Sequence, residues 1–192
     1  MIRVGLVLAA GQSWRFGSEN KLLQLYNGLP LADHVADTFR AVPLDHRIVV
    51  VSDPQVAALF DGFDVVHLDD GTSEQSRSLR HGVRHAVHRG AERLLIGLAD
   101  MPLVDAGTLT QILTGCTDTT ASCARGVAGP MPPACFPTAM LSDLMTLKGD
   151  RGAGALLRDI PVAAQVLVPP DRLRDVDTPA DLAGLDQPGS KT

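Results

Sequence analysis

A chain of 192 residues, 45% of them hydrophobic, fits one domain with a sizeable buried core and argues against disorder. A formal net charge of −5 argues against a broad nucleic-acid or anionic-membrane surface, because both need a positive face; a local phosphate pocket stays open. Aromatics make up only 4%, so the core is built from Val, Leu, Ile and Ala, as suits a parallel sheet covered by helices.

The opening run from Met1 to Gly11 is apolar but short, and it flows into a glycine turn. It reads as a first strand rather than a secretion signal. No apolar run is long enough to span a bilayer. Short runs at 3–8, 47–51, 64–68 and 93–98 have the composition of strands buried on both faces. Between them, 31–41, 54–60 and 76–89 carry helical spacing. Val35, Phe39 and Val42 share one helical face, and Leu79, Val83 and Val87 share another.

The second half is less regular. It predicts helices over 105–113, 137–147 and 152–158, strands over 120–125 and 163–168, and a Gly/Pro-rich loop over 126–133. Near the end, Thr178 is placed to cap a helix, with Pro179 at its first position and Asp181 at its third. Strands alternating with helices imply right-handed βαβ units. The expected fold is α/β: a single three-layer α/β/α Rossmann-like domain over 1–185 with a mostly parallel sheet, followed by a frayed tail at 186–192. Three cysteines without tight pairing, Cys116, Cys123 and Cys135, point to reduced thiols and a cytoplasmic location.

Ligands of such sheets bind at the carboxyl ends of the strands. There the first strand gives way to Ala9-Ala10-Gly11-Gln12-Ser13-Trp14-Arg15-Phe16-Gly17-Ser18-Glu19-Asn20-Lys21. Small residues let backbone N–H groups approach phosphate oxygens, and Arg15 and Lys21 supply charge. The segment lacks the spacing of a P-loop or of Gly-x-Gly-x-x-Gly. It is a phosphate loop or a plain strand-to-helix turn with exposed cations. Asp100 follows the fourth strand ahead of Pro102, where a hard carboxylate can hold a divalent ion beside phosphates. Alternatively it caps the next helix, a task for which Asp105 is better placed. Asp175-Val176-Asp177-Thr178-Pro179 read alone is a helix cap more than a ligand. His81, His85 and His88 share a helical face, but the arginines around them favour a solvated face over a metal site.

Leu-Ala-Ala-Gly-x-Ser-x-Arg-Phe-Gly-x3-Lys-Leu-Leu, here from Leu8 to Leu23, resembles the signature of the MobA-like nucleotidyltransferases, in particular their molybdenum cofactor cytidylyltransferase branch. Leu98-Ala99-Asp100-Met101-Pro102, Asp175-Val176-Asp177-Thr178-Pro179 and Gly28-Leu29-Pro30-Leu31 resemble further motifs of that family. The resemblance implies nucleotide binding by Leu8, Ala9, Ala10, Gly11, Ser13, Arg15, Lys21, Ser78 and Asp100. It implies catalytic roles for Arg15, Lys21 and Asp100, and Mg²⁺ held by Asp100 and Asp177, with Asp175 assisting or capping. Ser78 belongs to Ser76-Arg77-Ser78-Leu79, where a serine lies near the base or ribose; Arg77 is unusual there and can reach a phosphate instead.

What the resemblance implies about function is transfer of CMP from CTP to a phosphorylated acceptor, molybdopterin by preference, with pyrophosphate released. Ala10 is the residue typical of CTP users; guanylyl relatives tend to carry glycine. A cofactor-accepting oxidoreductase is a further implied partner. Two departures lie on the acceptor side. No His precedes the prolines of 126–137, and Gly154 stands where Gly-Asp-x-Gly-Ala-Arg ends in arginine; Arg151 can partly compensate. These departures leave room for GTP, for a sugar phosphate or other phospho-acceptor, or for a non-catalytic cofactor binder of the same fold.

Overall fold

The computed structural model describes residues 1–11, 16–17, 19–68, 75–147, 149 and 154–185. Among them run strands β1 (Arg3–Ala9), β2 (Leu25–Tyr26), β3 (Leu29–Pro30), β4 (His46–Val51), β5 (Asp64–His67), β6 (Arg93–Leu98), β7 (Ser122–Gly126), β8 (Gly129–Pro137) and β9 (Gln165–Leu167). The helices are α1 (Leu31–Ala41), α2 (Pro54–Ala57), α3 (Gln75–His88), α4 (Ala106–Gly115), α5 (Leu141–Thr146), α6 (Gly154–Leu157) and α7 (Pro179–Ala183). None of them is long and apolar enough to cross a membrane. The predicted tail, 186–192, lies outside the described residues.

The main sheet runs β5-β4-β1-β6-β8-β7-β9, and β2 pairs with β3 in a separate hairpin. β5, β4, β1 and β6 are mutually parallel, as the strand–helix alternation predicted. Alternation along β1 and β4 divides the apolar side chains between two faces. Val4, Leu6, Ile48 and Val50 pack with Leu79, Val83, Leu141 and Leu144 on the side of α3 and α5. Val7, Val49 and Val51 pack with Val35, Phe39, Val56, Leu109 and Ile112 on the side of α1, α2 and α4. The result is the three-layer sandwich expected from sequence.

Two of the close approaches that favour glycine shape the layers. A Cβ on Gly82 of α3 would lie 2.5 Å from Leu6 Cδ1, and one on Gly97 of β6 would lie 2.8 Å from Phe39 Cζ. The first lets α3 sit down on β1; the second makes room for the aromatic ring of α1. Val35, Phe39 and Val42 are buried as their spacing required. Val87 is not: it is 52% exposed, and Ala86 takes the buried place. After Leu79 and Val83, the position at i+7 stays closer to the stripe than i+8 on a helix of 3.6 residues per turn.

The predicted loop over 126–133 is a correction. Most of it is β8, antiparallel to both β6 and β7. Four prolines in nine residues disguise the strand, because proline cannot donate to a ladder. Pro132 and Pro133 fall where the register shifts between Cys123↔Ala134 and Ala124↔Met131, so they stand in the bulge rather than in the ladder. Other boundaries shorten. The predicted 137–147 helix divides into a 3₁₀ turn at Thr138–Met140 and α5; the 54–60 helix ends at Ala57; the last strand keeps only Gln165–Leu167. All three cysteines are buried and free, and burial pushes the Cys123 thiol up to about 11.

Candidate active site

Register sets the site. Ala9 of β1 pairs with Val51 of β4, and Leu8 pairs with Leu98 of β6, so these three strands end level with one another. The chain just beyond each end, at Ala10–Gly11, Ser52–Asp53 and Ala99–Asp100, therefore shares one edge of the sheet. The Ala99 N–H donates to the Leu8 carbonyl at 3.1 Å and ties two of these turns together. Leu8 and Ala10 are half-buried, Ala9 is buried and Gly11 is exposed.

Lys21 opens a 3₁₀ turn (Lys21–Leu23) whose N-cap is Asn20. The Asn20 side chain accepts from the Leu22 N–H at 3.0 Å, and its Nδ2 donates to Asp53 Oδ2 at 2.8 Å. Asp53 Oδ1 accepts from the Gln55 N–H and caps α2. The base of Lys21 is thus anchored to the end of β4.

Lys21 Nζ donates to Asp100 Oδ2 at 2.7 Å and to Asp177 Oδ1 at 2.9 Å. The lysine is only 7% exposed. Burial on its own would lower its pKa, but the charges and hydrogen bonds of Asp100 and Asp177 outweigh this, and the ammonium is held above its ordinary value. Among the described residues, Asp100 Oδ1 is buried without a hydrogen-bond partner.

Asp177 reaches the site from the far end of the chain. The Val176 N–H donates to the Asp100 carbonyl at 2.9 Å, and Val176 is fully buried against Leu31 and Leu185. Thr178 and Asp181 form the predicted capping box of α7. Asp181 Oδ2 also accepts from the Asp177 N–H at 3.1 Å, bracing the backbone that presents Asp177. Asp175 lies in the same field: partial desolvation, then the charges of Asp177 and Asp100, hold its carboxyl above the usual carboxylate range. Asp105, and not Asp100, caps the next helix, accepting from the Thr108 N–H at 2.7 Å.

Ser78 is buried in the first turns of α3. Gly82 packs over Leu6 and Val50, so one turn back, ~6 Å, brings Ser78 toward the carboxyl ends of β1 and β4. Ser76 is fully buried, and its Oγ has no hydrogen-bond partner among the described residues. On the same helix, partial desolvation and then Arg84, Arg77 and Arg80 hold the His81 imidazole below its ordinary value, and His85 Nε2 lies 3.9 Å from Asp64. Ser13, Trp14 and Arg15, with Lys148, Asp150 and Arg151, lie outside the described residues. Sequence reading missed Asn20 and Asp53. The rule that pointed to Asp100, a polar residue just past a parallel strand, applies equally to Asp53.

A mostly parallel sheet that gathers a lysine and two aspartates at its carboxyl edge is a setting for a phosphate-bearing ligand and a cation. The family model for the MobA-like NTP transferase domain matches residues 5–166. The purine catabolism protein PucB of Bacillus subtilis (strain 168) is 30% identical, with 93% of each chain covered. Rv0371c of Mycobacterium tuberculosis H37Rv superposes with a TM-score of 0.83 at 30% identity, covering 96% of this chain and 97% of that one. A second structure of Rv0371c, described as a complex with manganese, gives 0.81 at 29% identity over 96% and 98%. The chain is a nucleotidyltransferase by fold and descent. It belongs to the MobA-like NTP transferase family.

Proposed function

We propose that this chain transfers CMP from CTP to a phosphorylated acceptor, by preference molybdopterin, with Mg²⁺ held by Asp100 and Asp177. The carrying observation is the Lys21–Asp100–Asp177 cluster, with Asp100 Oδ1 buried beside it and unpartnered among the described residues. A buried carboxylate oxygen without a donor suits a hard cation. Among the described residues no group of three or more His, Cys, Asp or Glu forms a ready-made metal cage. Mg²⁺ takes one or two carboxylates and completes its shell with phosphate oxygens and water. The manganese complex of Rv0371c supports divalent metal use by analogy.

When bound, the ion offsets charge developing at the α-phosphorus. The chain supplies the rest. Backbone of Leu8–Gly11, with Ser13, cradles the nucleotide; Arg15 and Lys21 neutralise the triphosphate and the departing pyrophosphate; Ser78 contacts base or ribose. An acceptor phosphate oxygen bonds to the α-phosphorus as the α–β phosphoanhydride breaks, with no covalent enzyme intermediate. Catalysis is then positioning and electrostatics.

Ala10 supports CTP over GTP. Gly154, exposed at the start of α6 in place of the arginine of the family motif, supports a second reading in which the acceptor is a sugar phosphate or another phosphorylated small molecule. Pyrophosphate release from CTP, GTP and ATP, each with molybdopterin or a sugar phosphate, tests both. Release from CTP only with molybdopterin and Mg²⁺ supports the first. Release from GTP but not CTP refutes the base assignment, and release with a sugar phosphate alone refutes the acceptor. A transfer that survives Asp100→Ala intact refutes the placement of the site.

A further inference from the structure

The two carboxylates assigned to the metal already hold a cation. Lys21 Nζ lies between Asp100 Oδ2 and Asp177 Oδ1, at 2.7 and 2.9 Å. Those oxygens cannot keep an ammonium at hydrogen-bond distance and also bind a divalent ion in the same gap, because the two positive charges would repel at very short range. An ion in that gap requires Lys21 to leave, and an ion on the remaining Asp100 Oδ1 would still face the ammonium across a single carboxylate and bind more weakly.

Leaving for nothing is costly. Lys21 is almost completely buried, and an ammonium withdrawn from its counter-charges inside a protein keeps its desolvation cost without the attraction that offsets it. Leaving for a triphosphate is different, since phosphate oxygens replace the lost carboxylates. The anchoring fits such a swing. Asn20 holds the backbone of the 3₁₀ turn through Leu22 and Asp53, while Lys21 has four rotatable carbons between that fixed base and Nζ.

We infer that Lys21 is an occluding counter-ion, which keeps free divalent metal out of the Asp100–Asp177 pair and yields it only when a triphosphate arrives to receive the ammonium. Metal and nucleotide binding are thereby coupled through one side chain, and the site resists loading with metal alone. This inference rests on the nucleotidyltransferase reading of the site given above.

The test is Mn²⁺ binding without nucleotide, by electron paramagnetic resonance of the free ion and by calorimetry, on wild type, Lys21→Met and Lys21→Gln. Both variants should bind Mn²⁺ tighter than wild type, on the order of tenfold, the scale of an ordinary coupling between two ligands. Mn²⁺ alone should also raise the melting temperature of the variants more than that of wild type. The glutamine variant keeps a hydrogen-bond donor without the charge and guards against misfolding of the methionine variant. Mn²⁺ affinity in both variants equal to or weaker than wild type overturns the inference. If wild type nevertheless binds Mn²⁺ with CTP, only the swap is wrong; if wild type binds neither together, the reading of the site falls with it.

Discussion

Replacing Asp100 with Asn keeps the shape of the side chain and removes its charge, and its effect can be set against the same change at Asp177. Lys21 Nζ contacts both carboxylates at nearly equal distance, but the surroundings differ. The Asp100 side chain is 22% exposed and that of Asp177 is 46% exposed. A charge-assisted hydrogen bond in a largely buried setting contributes about 1.5–3 kcal/mol, whereas a solvent-screened ion pair contributes about 1 kcal/mol or less. Asp100→Asn should therefore cost about 2 kcal/mol and Asp177→Asn no more than about 1 kcal/mol. For a chain of this length the first is a drop of about 4–8 °C in melting temperature. Urea denaturation in the presence of a chelator measures both, free of any metal. A cost at Asp177 equal to or above that at Asp100 would refute the reasoning, because it would deny that burial sets the strength of the two contacts. Both variants should still lose nucleotidyl transfer, since each removes a proposed metal ligand.

Other outcomes separate structure from chemistry. Asp105→Ala removes the cap of α4 and should cost about 1 kcal/mol in denaturation, while activity per folded molecule stays near wild type. Asn20→Ala loosens the base of Lys21 and should raise the KM for CTP more than it lowers kcat in steady-state assays. The raised pKa of Lys21 gives a sign for alkaline pH: the stabilisation is fully present below its unfolded value of about 10.4 and is lost as pH rises through the higher folded value. The stability difference between wild type and Lys21→Met should shrink over that window in alkaline denaturation curves.

β1, β4, β6 and α1 were legible because strands buried on both faces leave uninterrupted apolar runs, and α1 shows a clean stripe; β5 carries the same kind of run, although as the edge strand it leaves Val65 and His67 exposed. β8 was not legible, because its prolines hide the ladder, and only the register shared with β6 and β7 reveals that two of them occupy a bulge. Val87 misled because spacing alone cannot say how wide the covered stripe is. At the site, Lys21 and Asp100 could be suspected from their places after strands, but Asp177 read by itself as a capping residue. Its meeting with Lys21 spans 156 positions and depends on the docking of Val176 beside Asp100. Periodicity carries no trace of such a long-range contact; the family resemblance of the Asp-Val-Asp-Thr-Pro segment pointed only to Asp177 as a companion of Asp100. The Asn20–Asp53 tie was hidden for the same reason.

The most direct test of the central claim is the melting temperature of wild type, Asp100→Asn and Asp177→Asn with CTP and Mg²⁺ added singly and together. A ligand that binds only the native state must stabilise it, by about 2.7 kcal/mol at a hundredfold excess over its Kd. Wild type should be stabilised in that range by CTP and Mg²⁺ together, and both variants should lose the gain. An equal rise in all three proteins would place the nucleotide and its metal somewhere other than the Lys21–Asp100–Asp177 cluster.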